Sequence, residues 1–299
     1  MSDAEDFRAG FVAVAGRPNV GKSTLVNALV GDRVAIVSRR PQTTRRCILG
    51  VVNRSQAQIV LVDSPGLHDS GGRTLNRALN AGARRAVVDA DVVMLVVEAG
   101  GWREDDERAL RIVRDSGRPA VLVINKVDRV TPREKLLPLI AEHTARHDFV
   151  SVIPVSAKRK ENLEDIVKVL IPLLPSSPQF FPPDQITDQG AAERASETIR
   201  EALIERLGAE LPYATYVSIE SWEIIRDCLH IDAVIWVARD SQKGIVIGAG
   251  GRMIKAIGTA ARSVLEKELD CRIMLNLRVK VRAGWSEDKR LLGDIGLLP

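Results

Sequence analysis

Cysteine is scarce in this chain: Cys47, Cys228 and Cys271 are odd in number, far apart and in no C-x-x-C arrangement. That spacing excludes a disulfide framework and a cysteine zinc site, and it fits a reducing compartment. Histidine is also sparse. His143 and His147 stand four apart on an expected helix with no third ligand nearby, so they read as surface residues and not as a metal pair. No apolar run approaches membrane-spanning length, and the acidic start Met1-Ser2-Asp3-Ala4-Glu5-Asp6 lacks the apolar centre of a signal peptide. A cytoplasmic protein is expected. Strong net charge is missing too, since the total is only +4, but its distribution is uneven. Residues 181–238 carry 4 basic against 11 acidic side chains, and residues 239–290 carry 12 against 6. Positive charge concentrated near the end hints at a polyanionic partner or at a solvated face.

What is present begins with Gly16-Arg17-Pro18-Asn19-Val20-Gly21-Lys22-Ser23, followed by Thr24, which matches G-x-x-x-x-G-K-[ST]. The apolar run Phe11–Ala15 before it reads as a buried strand, and Leu25, Ala28 and Leu29 after it have helical spacing. Strand, glycine loop and helix together make a phosphate cradle. Backbone N–H groups turn inward, the helix N-terminus adds partial positive charge, Lys22 reaches the β- and γ-phosphates, and the Ser23 hydroxyl can hold Mg²⁺. A plain Gly/Pro turn is the competing reading.

Three further apolar runs without alternation, Ile59–Val62, Val92–Val97 and Val121–Ile124, read as strands covered on both faces, so residues 1–175 predict a parallel sheet flanked by helices. The first of these ends in Asp63-Ser64-Pro65-Gly66 and the last in Asn125-Lys126-Val127-Asp128. A shorter run, Val152–Val155, ends in Ser156-Ala157-Lys158. The polar segments Val34–Leu49 and His68–Asn80 read as mobile loops. All four motifs fall at strand tips, where open α/β sheets bind ligands.

In order and spacing, these motifs resemble those of translation-factor-type GTPases. The resemblance implies GTP and GDP as ligands and GTP hydrolysis as the reaction. It gives Asn125 a contact to one edge of guanine, Lys126 the stacking under the base, and, within the guanine-binding turn Ser156-Ala157-Lys158, the Ala157 backbone a contact to the guanine oxygen. The Asp128 carboxylate can accept from both N1–H and the exocyclic amine, a pair adenine does not offer. One of Thr43 and Thr44 is then the switch threonine that closes on Mg²⁺, with Thr44 favoured, and Asp63 is the Mg²⁺-side carboxylate. Leu67 stands where signalling GTPases place a water-orienting glutamine. Asn19 resembles the ligand with which cation-dependent members hold K⁺; the alternative is that it only shapes the loop.

Pro172, Pro175, Pro178, Pro182 and Pro183 mark a seam. We expect a GTPase domain over 1–178, a linker over 179–186 and a second domain over 187–299. In the second, Glu193–Leu207 reads as an amphipathic helix, and Tyr213–Glu220 and Ile231–Val237 as strands. Gly248-Ala249-Gly250-Gly251 then precedes a helix bearing Ile254, Ile257, Ala261, Val264 and Leu265. That loop resembles the G-x-x-G of a KH domain, which passes single-stranded RNA backbone close to a helix start. Residues 272–282 alternate, with Arg272, Arg278, Lys280 and Arg282 on an outward basic face.

Together with Phe181–Thr187 and Gly284-Trp285-Ser286-Glu287-Asp288, these motifs resemble the Era-type GTPases along nearly the whole chain. The implied fold is an α/β P-loop GTPase domain with a mostly parallel sheet, followed by a smaller α+β type II KH domain. The implied partners are small-subunit ribosomal RNA near its 3′ end and the small ribosomal subunit during assembly, with Mg²⁺ as cofactor. A monomer is expected, and peripheral attachment at the inner face of the cell membrane is left open. Departures from the family pattern are Ser64 for threonine, Ala249-Gly250 inside the loop, and Arg278 for an aromatic. The second shifts RNA phosphate contact toward Lys243, Arg252 and Lys255. The rival readings are another RNA-associated GTPase, acting in tRNA modification or large-subunit assembly, and an RNA-binding protein with an inactive nucleotide site.

Overall fold

The computed structural model describes residues 7–38, 40, 43–67, 74–208, 211 and 215–294. They form two compact units. The first comprises the described residues up to Ala35 and Thr44–Asp188; the second comprises those of Ile36–Thr43 and from Gln189 on.

Six strands make the sheet of the first unit: β1 Arg8–Ala15, β2 Ile48–Arg54, β3 Ala57–Asp63, β4 Val92–Glu98, β5 Ala120–Asn125 and β6 Ser151–Pro154. Their spatial order is β2-β3-β1-β4-β5-β6, all parallel except β2 against β3. Helices α1 Lys22–Val30, α2 Thr74–Asp89, α3 Glu104–Ser116, α4 Leu136–Thr144 and α5 Leu163–Leu170 complete the unit. The unbroken apolar runs are explained by the pleat, which sends alternate side chains to opposite faces. Val12, Val14, Met94, Val96 and Val123 meet Leu25, Ile166 and Leu170 on one face. Ala13, Val93, Leu95, Leu122 and Ile124 meet Ala83, Val87, Ala109 and Leu110 on the other. The parallel order brings the C-terminal tips of β1, β3, β4, β5 and β6 to one edge, as the sequence reading required.

Three local expectations need correction. The segment read as loop over 68–80 becomes α2 from Thr74, because Leu75, Ala78, Leu79, Ala83 and Val87 bury one helical face; residues 68–73 lie outside the described residues. The loop read over 34–49 ends in β2, and its start is fastened down: Asn27 Oδ1 accepts from the amides of Val34 and Ala35, and its Nδ2 donates to the Ala35 carbonyl. His143 is buried, not on the surface, with its ring edge-on to Trp102 at 5.3 Å. Burial holds its imidazole below the usual histidine range.

The second unit runs α6 Ala191–Arg206, β7 Thr215–Ile225, β8 Cys228–Val237, α7 Asp240–Ile247, α8 Arg252–Leu269, β9 Arg272–Val281 and α9 Lys289–Asp294. The first strand read from sequence starts at residue 213, and residues 213 and 214 lie outside the described residues. β8 sits centrally, antiparallel to β7 and parallel to β9. Helices α6 and α8 cover one face through Ile199, Leu203, Ile257 and Ala261 against Ala233, Ile235 and Val237. This is the smaller α+β domain with KH topology of type II. Among the described residues no helix is long and apolar enough to cross a membrane.

Candidate functional site

The phosphate-loop motif occupies the turn from β1 into α1. Val20 is fully buried, Pro18 lies against Gly66, and Thr24 is half-buried on the first turn of α1. Lys22 Nζ donates to the carbonyls of Gly16 at 3.1 Å and Arg17 at 3.2 Å. Burial lowers its pKa to about 8, against the attraction of Asp63. Asn19 has φ +65°, a left-handed conformation that asparagine tolerates better than most residues.

Beside the loop, two hydroxyls converge on one acid. Ser23 Oγ donates to Asp63 Oδ2 at 2.7 Å, Thr44 Oγ1 donates to the same oxygen at 3.2 Å, and the two hydroxyls are 2.9 Å apart. Asp63 Oδ1 is buried and accepts no hydrogen bond among the described residues, and burial raises the carboxyl pKa. One carboxylate plus hydroxyl oxygens is the hard-donor set that suits Mg²⁺ shared with phosphates. Thr43 is not part of this cluster, since its Oγ1 donates to the Arg40 carbonyl at 2.7 Å. Ser64 Oγ donates to the Val14 carbonyl at 3.0 Å, Pro65 and Gly66 are buried, and the Leu67 amide donates to the Gly16 carbonyl at 3.3 Å. The Leu67 side chain packs into the apolar cluster under α2 and α3.

The base-side motifs meet at Asn125. Its Nδ2 donates to the Val20 carbonyl at 2.9 Å, while its Oδ1 accepts from the amides of Lys126 at 2.8 Å and Ala157 at 3.0 Å. One buried amide thus ties phosphate loop, β5 loop and β6 loop together. Ser156 Oγ donates to Asp128 Oδ1 at 2.7 Å, and this bond is the main reason the Asp128 carboxyl is held below its usual range. Lys158 is exposed at the rim.

In the second unit Gly248, Gly250 and Gly251 have φ of +71°, +59° and +75° between α7 and α8, with Ala249 among them. A glycine at each is the low-cost way to make this turn. Arg252 starts α8, Lys255 follows one turn later, and Lys243 lies on α7. Between α8 and β9 runs a groove of about 730 Å³ lined by Ile254, Lys255, Gly258, Leu275, Leu277 and Arg278, among others.

The 50S ribosome-binding GTPase family profile matches residues 11–126, and the KH domain profile matches residues 210–286. GTPase Era of Stenotrophomonas maltophilia R551-3 is 48% identical over 296 residues, covering 99% of both chains. That of Xanthomonas campestris B100 is 46% identical over the same length and coverage. This chain belongs to the Era GTPase family. Its enzymatic activity is hydrolysis of GTP to GDP and phosphate. Among solved structures, a point variant of Aquifex aeolicus Era bound to GDP·AlF₄⁻ matches with a TM-score of 0.94 at 34% identity, covering 98% of this chain and 100% of that one. Era in complex with MgGDPNP and nucleotides 1506–1542 of 16S ribosomal RNA matches with the same figures.

Two features of this Era-family chain were invisible in the sequence. Arg17, inside the phosphate motif, turns its side chain away to Asp106 and Glu98, each at 3.1 Å. Its acids lie 89 and 81 positions away, and no local pattern flags them. The outward basic face of β9 is also less basic than it reads. Arg278 pairs with Asp232 at 3.4 Å, Lys280 with Glu220 at 2.8 Å and Arg282 with Asp288 at 3.1 Å.

Proposed function

We propose that this Era-family GTPase binds small-subunit ribosomal RNA near its 3′ end and acts in assembly of the small ribosomal subunit. The observation that carries the reading is a glycine turn of KH form on the same chain as a GTPase site. The solved Era complex with a 16S fragment supports the choice of RNA. The match to a 50S ribosome-binding GTPase profile favours a large-subunit partner, but that match covers only residues 11–126 and says nothing of the KH module.

In this reading residues 1–178 are the nucleotide domain, 179–186 the connector and 187–299 the RNA-binding domain. Residues 16–24 hold the phosphates, with Lys22 meeting charge on the transferring group. Ser23, Thr44 and Asp63 hold Mg²⁺, which when bound neutralises phosphate charge. Asp128 reads guanine, Asn125 and Lys126 flank the base, and the Ser156–Lys158 turn closes over it. Lys243, Gly248–Gly251, Arg252 and Lys255 carry the RNA backbone.

The test is binding of a 16S 3′-end fragment to Gly250→Asp and Gly251→Asp. At both positions an added Cβ meets nothing within 4 Å, and aspartate tolerates a left-handed backbone. The new charge then opposes RNA phosphate without a clash. Affinity is expected to fall at least about tenfold, with a shallower salt dependence, while GTP binding is retained. Equal RNA affinity in filter binding would remove the loop from the interface. At Gly248 the same change is a poorer test, because a Cβ there meets Met253 Cβ at 2.7 Å.

The Leu67 side chain can neither donate nor accept a hydrogen bond, so alignment of the attacking water falls to other groups. We assign part of the charge stabilisation to K⁺ at Asn19. Basal hydrolysis is then faster in K⁺ than in Na⁺ at matched ionic strength, and Asn19→Gly, which keeps the backbone freedom and removes the side-chain oxygen, abolishes the difference. Equal wild-type rates in the two salts would show that Asn19 only shapes the loop.

A further inference from the structure

Four strand tips of the first unit carry the motifs read from the sequence; the remaining parallel one, that of β4, ends in Glu98, which no motif claims. Its carboxylate is gripped from two sides. Oε2 accepts from Arg17 Nη2 at 3.1 Å and lies 3.2 Å from Lys126 Nζ, while Oε1 accepts from Arg129 Nη1 at 3.2 Å. Arg17 belongs to the phosphate loop, and Lys126 and Arg129 to the loop after β5. Each inner cation has a second anchor. Arg17 Nε donates to the fully buried Asp106, and Lys126 Nζ donates to the Asn19 carbonyl.

Exposure separates this cluster from an ordinary surface pair. The Arg17 and Glu98 side chains retain 8% and 18% of their exposure, whereas solvated pairs contribute little. Burial works to raise the Glu98 pKa, but Lys126 and Arg17 together hold it below the usual carboxylate range. The cations are therefore arranged around a charged acid, and deleting that acid leaves them crowded together.

The geometry points to Glu98 as a positioning residue for nucleotide binding: one carboxylate fixes Arg17 of the phosphate loop and Lys126 of the base loop relative to each other. Contacts to both ends of the ligand are then preorganised together. This rests on the guanine-nucleotide assignment of the site given above. Glu98 bonds Arg17, Lys126 and Arg129 and not the Ser23–Thr44–Asp63 cluster, so its removal weakens binding of GTP and GDP alike and leaves the chemical step less affected.

The experiment uses the full chain and a fluorescent GDP analogue, with release followed by stopped flow and steady-state kinetics measured on GTP. Glu98→Ala is expected to release GDP about tenfold faster, the scale of one charge-assisted hydrogen bond. The KM for GTP rises by a similar factor and kcat moves much less. Glu98→Gln keeps the side chain's shape and secures the test if the alanine variant folds poorly; it shows the same split with a smaller change. In a Lys126→Ala background, Glu98→Ala adds little further loss, because the two act as one unit. A lowered melting temperature with wild-type GDP release, or fully additive effects in the double variant, overturns the proposal. Asp128→Asn separates the two levels. If it loosens GDP while neither Glu98 variant does, the positioning role fails and the site assignment stands. If it too binds GDP like wild type, the site assignment itself fails.

Discussion

Asp128→Asn is expected to lower GTP affinity by about one to two orders of magnitude, the worth of a charge-assisted hydrogen bond, and to shift preference toward xanthosine triphosphate. The ionised carboxylate has only acceptors to offer, and guanine presents two adjacent donors, N1–H and the exocyclic amine. The Ser156 hydroxyl fixes the carboxylate through Oδ1 at 2.7 Å and holds its pKa below the usual range. Asparagine replaces one acceptor with a donor and opposes like with like, whereas xanthine has a carbonyl where guanine has the amine. Competition of GTP against xanthosine triphosphate for the variant reads this directly. An unchanged preference for GTP would mean that Asp128 does not face the base. Ser156→Ala is the milder companion, since it removes the orienting bond but leaves both acceptors.

Legibility in the sequence follows how local the physics is. Gly16–Ser23, Asp63–Gly66, Asn125–Asp128 and Ser156–Lys158 are short because each serves one strand tip, and the parallel order of β1, β3, β5 and β6 brings the tips together. The two-faced cores were equally legible, because unbroken runs such as Val92–Val97 leave the pleat to sort side chains between layers. The antiparallel edge strand β2 was missed for the opposite reason. Its seven residues include Gly50, Asn53 and Arg54, and what holds them is long-range pairing with β3 and a bond from the Val51 amide to the Ile186 carbonyl. Charge networks are the least readable layer. Arg17 looks like a phosphate-loop cation until Glu98 and Asp106 come into range, and Arg278 looks free until Asp232 stands beside it on the neighbouring strand. His143 shows the same limit: a polar residue at a helix end becomes core when Trp102 folds over it.

The other large effect is expected from Gly21→Ala, a change of one methyl group. Gly21 has φ +101°, where an L side chain is strained whatever the space around it, at a cost of about 1–3 kcal/mol. Space is also lacking. A Cβ at Gly21 would collide with Asn125 Nδ2, so the amide must move. Asn125 is the buried side chain that holds Val20 of the phosphate loop and Lys126 and Ala157 of the base loops. Each bond lost costs about 0.5–1.5 kcal/mol, and the damage falls on both halves of the site at once. GDP affinity is expected to drop at least about 100-fold, beyond about 2.7 kcal/mol, with secondary structure retained by circular dichroism. Gly31→Ala supplies the control. Gly31 caps the same helix at φ +88°, but nothing lies within 4 Å of its Cβ position. It should cost about 1 kcal/mol of stability from backbone strain alone and leave GDP binding as it was. If both variants lose binding to the same degree, backbone strain in α1 explains the result. If Gly21→Ala binds GDP like wild type, Asn125 is not the tie between the phosphate and base loops.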